Sequence, residues 1–416
     1  MPRLSFKGGV PLKGEVRASG AKNAALPLLA ATIMMSGKSS FTNIPQLEDI
    51  RIMIQMLNSL DIHSEYTENN QLTIRNTNKV RHIAPYEFVT AMRASFFVAG
   101  PILAKTGFAK IPLPGGCLIG KRPVDIHIDG FKALGASVKL EHGFVRLSAS
   151  QLIGTTISLP FPSVGATENI MMAACLAKGT TTLKNAAQEP EIDDLIRLLT
   201  LAGAKINGAG TSTLIIEGVS HLTAVTDYTV IADRIEVGTL LIASAITAGD
   251  ITVTNVCPNH IQSLLNVLED CGCKLTTTPN SVRCCGPKTI APVHIKTEPF
   301  PGFPTDMQAQ LMALLTIANG TSTIEEAIFE NRFMHVPELN RMGANINILD
   351  GIASINGVAE LSGAEVKITD LRAGAALILA GLAAKNTTTV HGLKHLYRGY
   401  DQLPQKLASL GACITV

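Results

Sequence analysis

The feature that most constrains this chain is a unit repeated six times. A helix-like run ends in a small turn and passes into a short strand. It reads LNSLDIHSEY from Leu57, KALGASVKL from Lys132, TLAGAKI from Thr200, EDCGCKL from Glu269, NRMGANINI from Asn340 and ASLGACITV from Ala408. Gly135, Gly203, Gly272, Gly343 and Gly411 mark the turn, and Asp61 takes that place in the first copy. Glycine suits the position because helices commonly end on a left-handed residue, where a Cβ would clash. Successive turns lie 68–74 residues apart. A second pattern recurs in phase with the first: SGKSSFTNI, TGFAKIPL, KGTTTLKNA, AGDITVTNV, NGTSTIEEA and KNTTTVHGL, each a turn followed by a Thr-, Ser- or Val-rich strand.

Each unit therefore reads as an apolar helix, a Thr-rich strand, an amphipathic helix ending at the glycine, and a β-hairpin. The sixth copy lacks its returning strand, and RLSFKGGVPLKGEV near the N-terminus resembles the missing piece. Residues 1 to about 20 are thus expected to complete the sixth unit. Six units split into two α/β domains of three, one covering 21–229 and the other, discontinuous, covering 1–20 and 230–416.

The apolar helices start near Lys22, Met92, Val164, Arg234, Asp306 and Leu371, and their bodies are almost uncharged, as in AALPLLAATIMM and AALILAGLAA. A helix apolar all round belongs in a core. The first turns are polar instead. Thr305, Asp370 and Asp233 read as caps. Lys22, Arg93 and Arg372 do not, because cations are disfavoured at the positive end of a helix. Basic residues beside free amides make sense where an anion binds. The pattern points to a small polyanionic substrate held between two domains.

Composition narrows the class. Apolar residues make up 46% of the 416 and the net charge is +2, which argues against a general nucleic-acid binder. The N-terminus lacks the apolar stretch of a signal peptide. The longest apolar run, Ala24 to Met35, holds Pro27 and is too short to span a bilayer. A cytoplasmic location, no membrane insertion and cysteines kept as thiols are expected. Cys271, Cys273, Cys284 and Cys285 lack a usual zinc spacing and fall on one hairpin, so no metal site is expected there. Cys175 and Cys413 read as core. His127 and His335 read as packing or substrate-loop residues.

Eight stretches carry a resemblance. PLPGGCLIGKRPVDIHIDG at 112–130 resembles the active-site loop of the UDP-N-acetylglucosamine enolpyruvyltransferase family. SGAKNAALP at Ser19, TAMRASFF at Thr90, FPSVGATENIMMAA at Phe161, PGFPTDMQAQ at Pro301, FENRFMHVPEL at Phe329, TDLRAGAALILAG at Thr369 and RGYDQLPQKL at Arg398 are similar to that family in the same order. The resemblance implies a two-domain inside-out α/β barrel, each domain having three repeats around buried helices. It implies transfer of the enolpyruvyl group of phosphoenolpyruvate to the 3′-hydroxyl of UDP-N-acetylglucosamine, at the entry to peptidoglycan precursor synthesis, with no cofactor and no metal. By motif match, Cys117 protonates C3 of the donor and is the target of fosfomycin. Asp306 is the candidate base. Lys22, Arg122 and Arg398, joined by Arg372, hold the donor's phosphate and carboxylate. Asn23, Arg93, the stretch Arg122, Pro123, Val124, Asp125 and Ile126, then Ser163, Val164, Gly165 and Ile328, contact the sugar nucleotide. Two positions depart from the family pattern: Phe161 makes one uridine contact apolar, and Tyr397 stands where an acidic residue often precedes Arg-Gly-Tyr. The competing readings are the sister enzyme acting on shikimate 3-phosphate, a non-catalytic sugar-nucleotide-binding regulator, and a repeat scaffold for protein partners.

Overall fold

The computed structural model describes residues 3–67, 71–113 and 124–415. The chain divides into two compact units. The first comprises 20–113 and 124–231, and the second 3–19 and 232–415.

In the first unit the core helices are Lys22–Ala31, Ala99–Thr106 and Val164–Ala174; in the second they are Arg234–Ile246, Gln308–Leu315 and Leu371–Ala383. The Ala99 and Gln308 helices are each entered through a 3₁₀ turn, Arg93–Val98 and Thr305–Met307. From Ile235 to Ile246 every residue is buried. Such helices leave no face for water, so their packing partners must surround them. Close approach demands small residues. A Cβ on Gly100 would lie 2.3 Å from the carbonyl oxygen of Asn169 on the neighbouring helix. The first core helix runs through Pro27, which has no N–H to return to the carbonyl four residues back.

Sheets flank the helices. The Thr-rich strands alternate, with Leu183, Ile251 and Val253 fully buried and their threonine neighbours facing outward in part. Five of the six are inner strands of their sheets; among the described residues Phe108–Pro112, in the second copy, lies at the edge of a three-stranded sheet. Thr180–Lys184 pairs antiparallel with Thr213–Glu217 and parallel with Thr156–Ser158, and the third, fifth and sixth copies share this order.

The N-terminal segment departs from the sequence expectation. Only Arg3–Lys7 completes the sixth copy, lying antiparallel between Thr387–His391 and Cys413–Thr415. Lys13–Arg17 instead pairs parallel with Asp250–Thr254 and serves as the leading strand of the fourth copy. The segment thus contributes to two sheets of its unit. The matching role for the first copy falls to Leu222–Thr223 and Tyr228–Thr229, both parallel to Met35–Thr42. Cys413 is a second correction: it is exposed, on a strand that lies at the edge of its sheet beside Arg3–Lys7. Cys175 is buried, and burial pushes its thiol up to about 12.

The turn motif behaves uniformly. The residue after the turn donates its N–H back to the carbonyl five residues earlier in all six copies, from Ile62 to Leu57 through Ala412 to Leu407, at 2.9–3.2 Å. The turn residue has positive φ in each, 92° at Gly135 and 64° at Asp61. A Cβ on Gly135 would meet nothing within 4 Å, so conformation alone requires glycine there. Gly135→Ala is therefore expected to lower stability by about 1 kcal/mol, and Gly135→Asn by less, since asparagine tolerates the left-handed region. Denaturant midpoints of the three proteins measure this; equal midpoints for glycine and alanine would refute the assignment.

Candidate active site

The second unit gathers its charged residues around one carboxylate. Asp306 sits in the 3₁₀ turn that opens the fifth core helix. Arg332 donates to its Oδ1 at 2.6 Å and Arg372 to its Oδ2 at 2.8 Å. Both arginine side chains are about 95% buried, being 4% and 5% exposed, while Asp306 keeps 27% exposure. Arg372 lies in the first turn of the sixth core helix, whose cap Asp370 accepts from the Arg372 and Ala373 amides. Burial works to lower the Arg372 pKa, but the Asp306 carboxylate more than reverses that and holds the guanidinium above its ordinary value.

Two guanidiniums and one carboxylate leave one positive charge over among these three side chains. Nη1 of Arg372 is buried with no hydrogen-bond partner. A buried charged donor left without an acceptor is costly. An anion placed against it would relieve that cost.

The surroundings lock this arrangement. The Arg372 guanidinium lies 5.5 Å from the centre of the Tyr400 ring. The Tyr400 hydroxyl shares a hydrogen bond with Thr239 at 2.9 Å and accepts one from Gln310 at 2.9 Å; Gln310 also donates to the Asp306 carbonyl. The three core-helix starts of the unit are thereby cross-linked. Thr305 does not cap its helix, contrary to the sequence reading. Its hydroxyl donates to Glu326, whose carboxylate also accepts from Thr297 and from the amides of Ile328 and Phe329. By accepting the Ile328 and Phe329 amides, this buried carboxylate fixes the backbone that presents Ile328. Arg398 ends a short 3₁₀ turn and is half-buried, beside the exposed Tyr397.

The first unit offers a different surface. Lys22 opens the first core helix and pairs with Asp49 at 3.4 Å, with 12% and 5% side-chain exposure. Asn23 is half-buried next to it. Ser163 caps the third core helix by accepting from the Ala166 amide at 3.4 Å. Gly165 follows, where a Cβ would lie 3.4 Å from the His127 ring. Val124 and Ile126 are half-buried and Asp125 is exposed at the start of the helix Asp125–Ala133.

His127 is fixed from behind. Oδ1 of Asn169 accepts from the Gly100 amide at 2.7 Å and Nδ2 donates to the Phe96 carbonyl at 2.9 Å, which sets the amide's orientation. Nδ2 then faces His127 Nδ1 at 3.2 Å, so Nδ1 accepts and the neutral ring carries its proton on Nε2. His335 is buried in the second unit, and burial lowers it to about 4, so it is neutral near pH 7.

Of the residues singled out from sequence, Asp306 and Arg372 meet within hydrogen-bond distance. Cys117, Arg122 and Pro123 lie outside the described residues, as does the side chain of Arg93. Arg332, Glu326, Tyr400 and Asp49 were not anticipated as site residues. Arg332 and Tyr400 do fall inside the motifs from Phe329 and Arg398; nothing in their spacing signals which helix start they reach. Among the described residues no cluster of three metal-ligating side chains occurs, and no helix is long and apolar enough to cross a membrane.

Comparison with known proteins gives a consistent result. A family model described as EPSP synthase (3-phosphoshikimate 1-carboxyvinyltransferase) matches residues 6–407. The chain is 52% identical over 404 residues to UDP-N-acetylglucosamine 1-carboxyvinyltransferase 1 of Caldanaerobacter subterraneus subsp. tengcongensis, covering 97% of each. It is 51% identical over 416 residues to the protein of the same name from Halalkalibacterium halodurans, covering 100% of this chain and 94% of that one. The crystal structure of the enolpyruvyl transferase NikO from Streptomyces tendae matches with a TM-score of 0.89 at 26% identity, covering 99% and 98%.

Glu168, in the second turn of the third core helix, is fully buried with both carboxyl oxygens unpartnered. Burial, then the charges of Glu191 and Glu189, raise its pKa well above the usual carboxylate range. The folded state therefore holds a proton that the unfolded chain releases above pH ~4.5, and stability falls as pH rises from there toward the folded pKa. Glu168→Gln is expected to flatten this slope and to raise the denaturation midpoint at about pH 8; identical pH profiles for the two proteins would contradict it.

Proposed function

The chain belongs to the EPSP synthase (3-phosphoshikimate 1-carboxyvinyltransferase) family, and we propose that it transfers the enolpyruvyl group of phosphoenolpyruvate to the 3′-hydroxyl of UDP-N-acetylglucosamine, releasing phosphate. The acceptor follows the names of the half-identical relatives, which are UDP-N-acetylglucosamine 1-carboxyvinyltransferases. The observation that carries the chemistry is the Asp306 carboxylate held by two buried guanidiniums, one with a free N–H. That arrangement supplies a base and an anion-holding charge in one cluster.

The reaction then runs as addition and elimination. The sugar hydroxyl adds to C2 of the donor, its proton passing toward Asp306, while the Cys117 thiol gives a proton to C3. The tetrahedral adduct loses a proton from C3 and expels phosphate, regenerating the double bond as an enol ether. Arg372 and Arg398, with Lys22 and Arg122, neutralise the donor's phosphate and carboxylate. Asn23, Arg93, Arg122 to Ile126, Ser163 to Gly165 and Ile328 hold the sugar nucleotide. Product formation serves peptidoglycan precursor synthesis in the cytoplasm. Asp306 keeps 27% exposure, and a carboxylate has about four lone-pair sites, so it can accept the hydroxyl while both guanidiniums stay bound.

Phosphate release from phosphoenolpyruvate is expected with UDP-N-acetylglucosamine and not with shikimate 3-phosphate; the reverse preference would select the sister activity, and neither would select a non-catalytic binder. Asp306→Asn should lower kcat by about 10²–10⁴-fold, the usual range for loss of an acid–base group. Cys117→Ala should nearly abolish turnover and leave sugar-nucleotide affinity intact, and fosfomycin should add its mass to the peptide containing Cys117. Full activity in either variant would refute the corresponding role.

A further inference from the structure

The first unit contains a cavity of about 500 Å³ that the reaction does not use. It is lined by Met34, Lys105, Gln151, Lys178, Gly218 and His221, among others. Lys105 is in the last turn of the second core helix, and Lys178 lies just beyond the third. The site is thus formed where these core helices end, whereas Lys22 and Ser163 stand where core helices begin.

No carboxylate lines this cavity. Lys105 is half-buried, and its ammonium reaches only neutral oxygens, the Met34 carbonyl at 3.3 Å and the Ser36 hydroxyl at 3.5 Å. Burial without a counter-charge lowers its pKa. Neither lysine has a carboxylate within ion-pair distance among the described residues.

The internal repeat supplies a control. Lys178 donates its amide to the Leu152 carbonyl at 2.8 Å, and its own carbonyl accepts from Gly154 at 2.8 Å. In the sixth copy Lys385 makes the same pair of bonds with Leu361 and Gly363. Lys178 and Lys385 therefore occupy one slot of the repeat. The residue before the leucine is Glu360 in the sixth copy and Gln151 in the third. Glu360 forms a salt bridge with Lys385. The third copy thus has the same lysine as the sixth but an amide where the sixth has its carboxylate, beside a cavity that a second lysine also lines.

We propose that this cavity binds a small phosphorylated anion, with Lys105 and Lys178 as the charges and Gln151 and His221 as further hydrogen-bonding groups. Its volume lies in the range of small-molecule pockets, about 300–1,000 Å³. The helix carbonyl ends nearby oppose an anion by about half a charge each at most, and the two ammoniums outweigh them. The inference is independent of the acceptor assigned above.

The test is an NMR titration of the full chain at constant ionic strength, following the Lys105 and Lys178 side chains and the Gly179 and Gly218 amides. The probes are inorganic phosphate, phosphoenolpyruvate and uridine diphosphate, with chloride as control. Saturable shifts are expected with at least one phosphate-bearing probe and none with chloride. Response to inorganic phosphate identifies free phosphate as sufficient; response only to the other two identifies a phosphorylated metabolite. Q151E, which restores the sixth copy's ion pair, should weaken binding about 10-fold or more, as should K105M; a tenfold change corresponds to ~1.4 kcal/mol. Q151E changes an exposed residue, and an unchanged melting midpoint shows that it is folded. Cavity signals that stay still with every probe, or equal affinity in folded Q151E, would overturn the proposal.

Discussion

Three helices can share a dry centre only if none of their flanks carries charge. In this chain each unit meets that constraint, and it has a consequence for chemistry. With the helix bodies dominated by alanine, leucine, isoleucine and methionine, most polar function lies toward the starts, as with Asn169, Thr239 and Gln310 in the first two turns of their helices. The N-terminal ends are the more useful, since their amides are unsatisfied and favour anions. Asp233, Asp370 and Ser163 cap three of the six core helices with their own side chains. The others begin with Lys22 or through a 3₁₀ turn, so the departures from ordinary capping coincide with residues assigned to substrate.

The Asp306 cluster shows how such an end is held ready. Burying Arg332 and Arg372 without a counter-charge would be strongly destabilising. One shared carboxylate offsets most of that, and the Tyr400–Thr239–Gln310 hydrogen bonds keep the three helix starts in register. The surplus charge is stored in a rigid frame, so little side-chain ordering remains to be done when an anion arrives. Asn169 plays a comparable part behind His127, selecting one tautomer through a fixed amide.

Much of this fold is written in local signals. The five turn glycines and Asp61 are legible because a left-handed residue leaves a mark in sequence, and the core helices because they lack charge. The family motifs single out both Asp306 and Arg372, and the structure brings the two within hydrogen-bond distance. What stayed hidden was pairing at a distance. RLSFKGGVPLKGEV has the composition of two strands, but only tertiary context sends Lys13–Arg17 to the fourth sheet. Thr305 looks like a cap, yet its hydroxyl donates to Glu326, 21 residues on, and among the described residues accepts from no helix amide. Cys413 has an apolar neighbourhood in sequence, yet its strand is an edge and turns it to water. Arg332 announces nothing by spacing; its partner is defined by a loop crossing back to a helix start.

The strand Arg3–Lys7 occupies an interior place in its sheet, hydrogen-bonded on one side to Thr387–His391 and on the other to Cys413–Thr415. During synthesis it precedes its partners by some 380 residues, with Phe6 unsheltered until they are made. The intervening 20–231 unit is free to condense during that delay, because all of its strands are already present. Biogenesis is therefore expected to be vectorial, with an early-folding insert and a late-closing host. The long-range docking of Arg3–Lys7, like that of Lys13–Arg17, raises the contact order and is expected to come late.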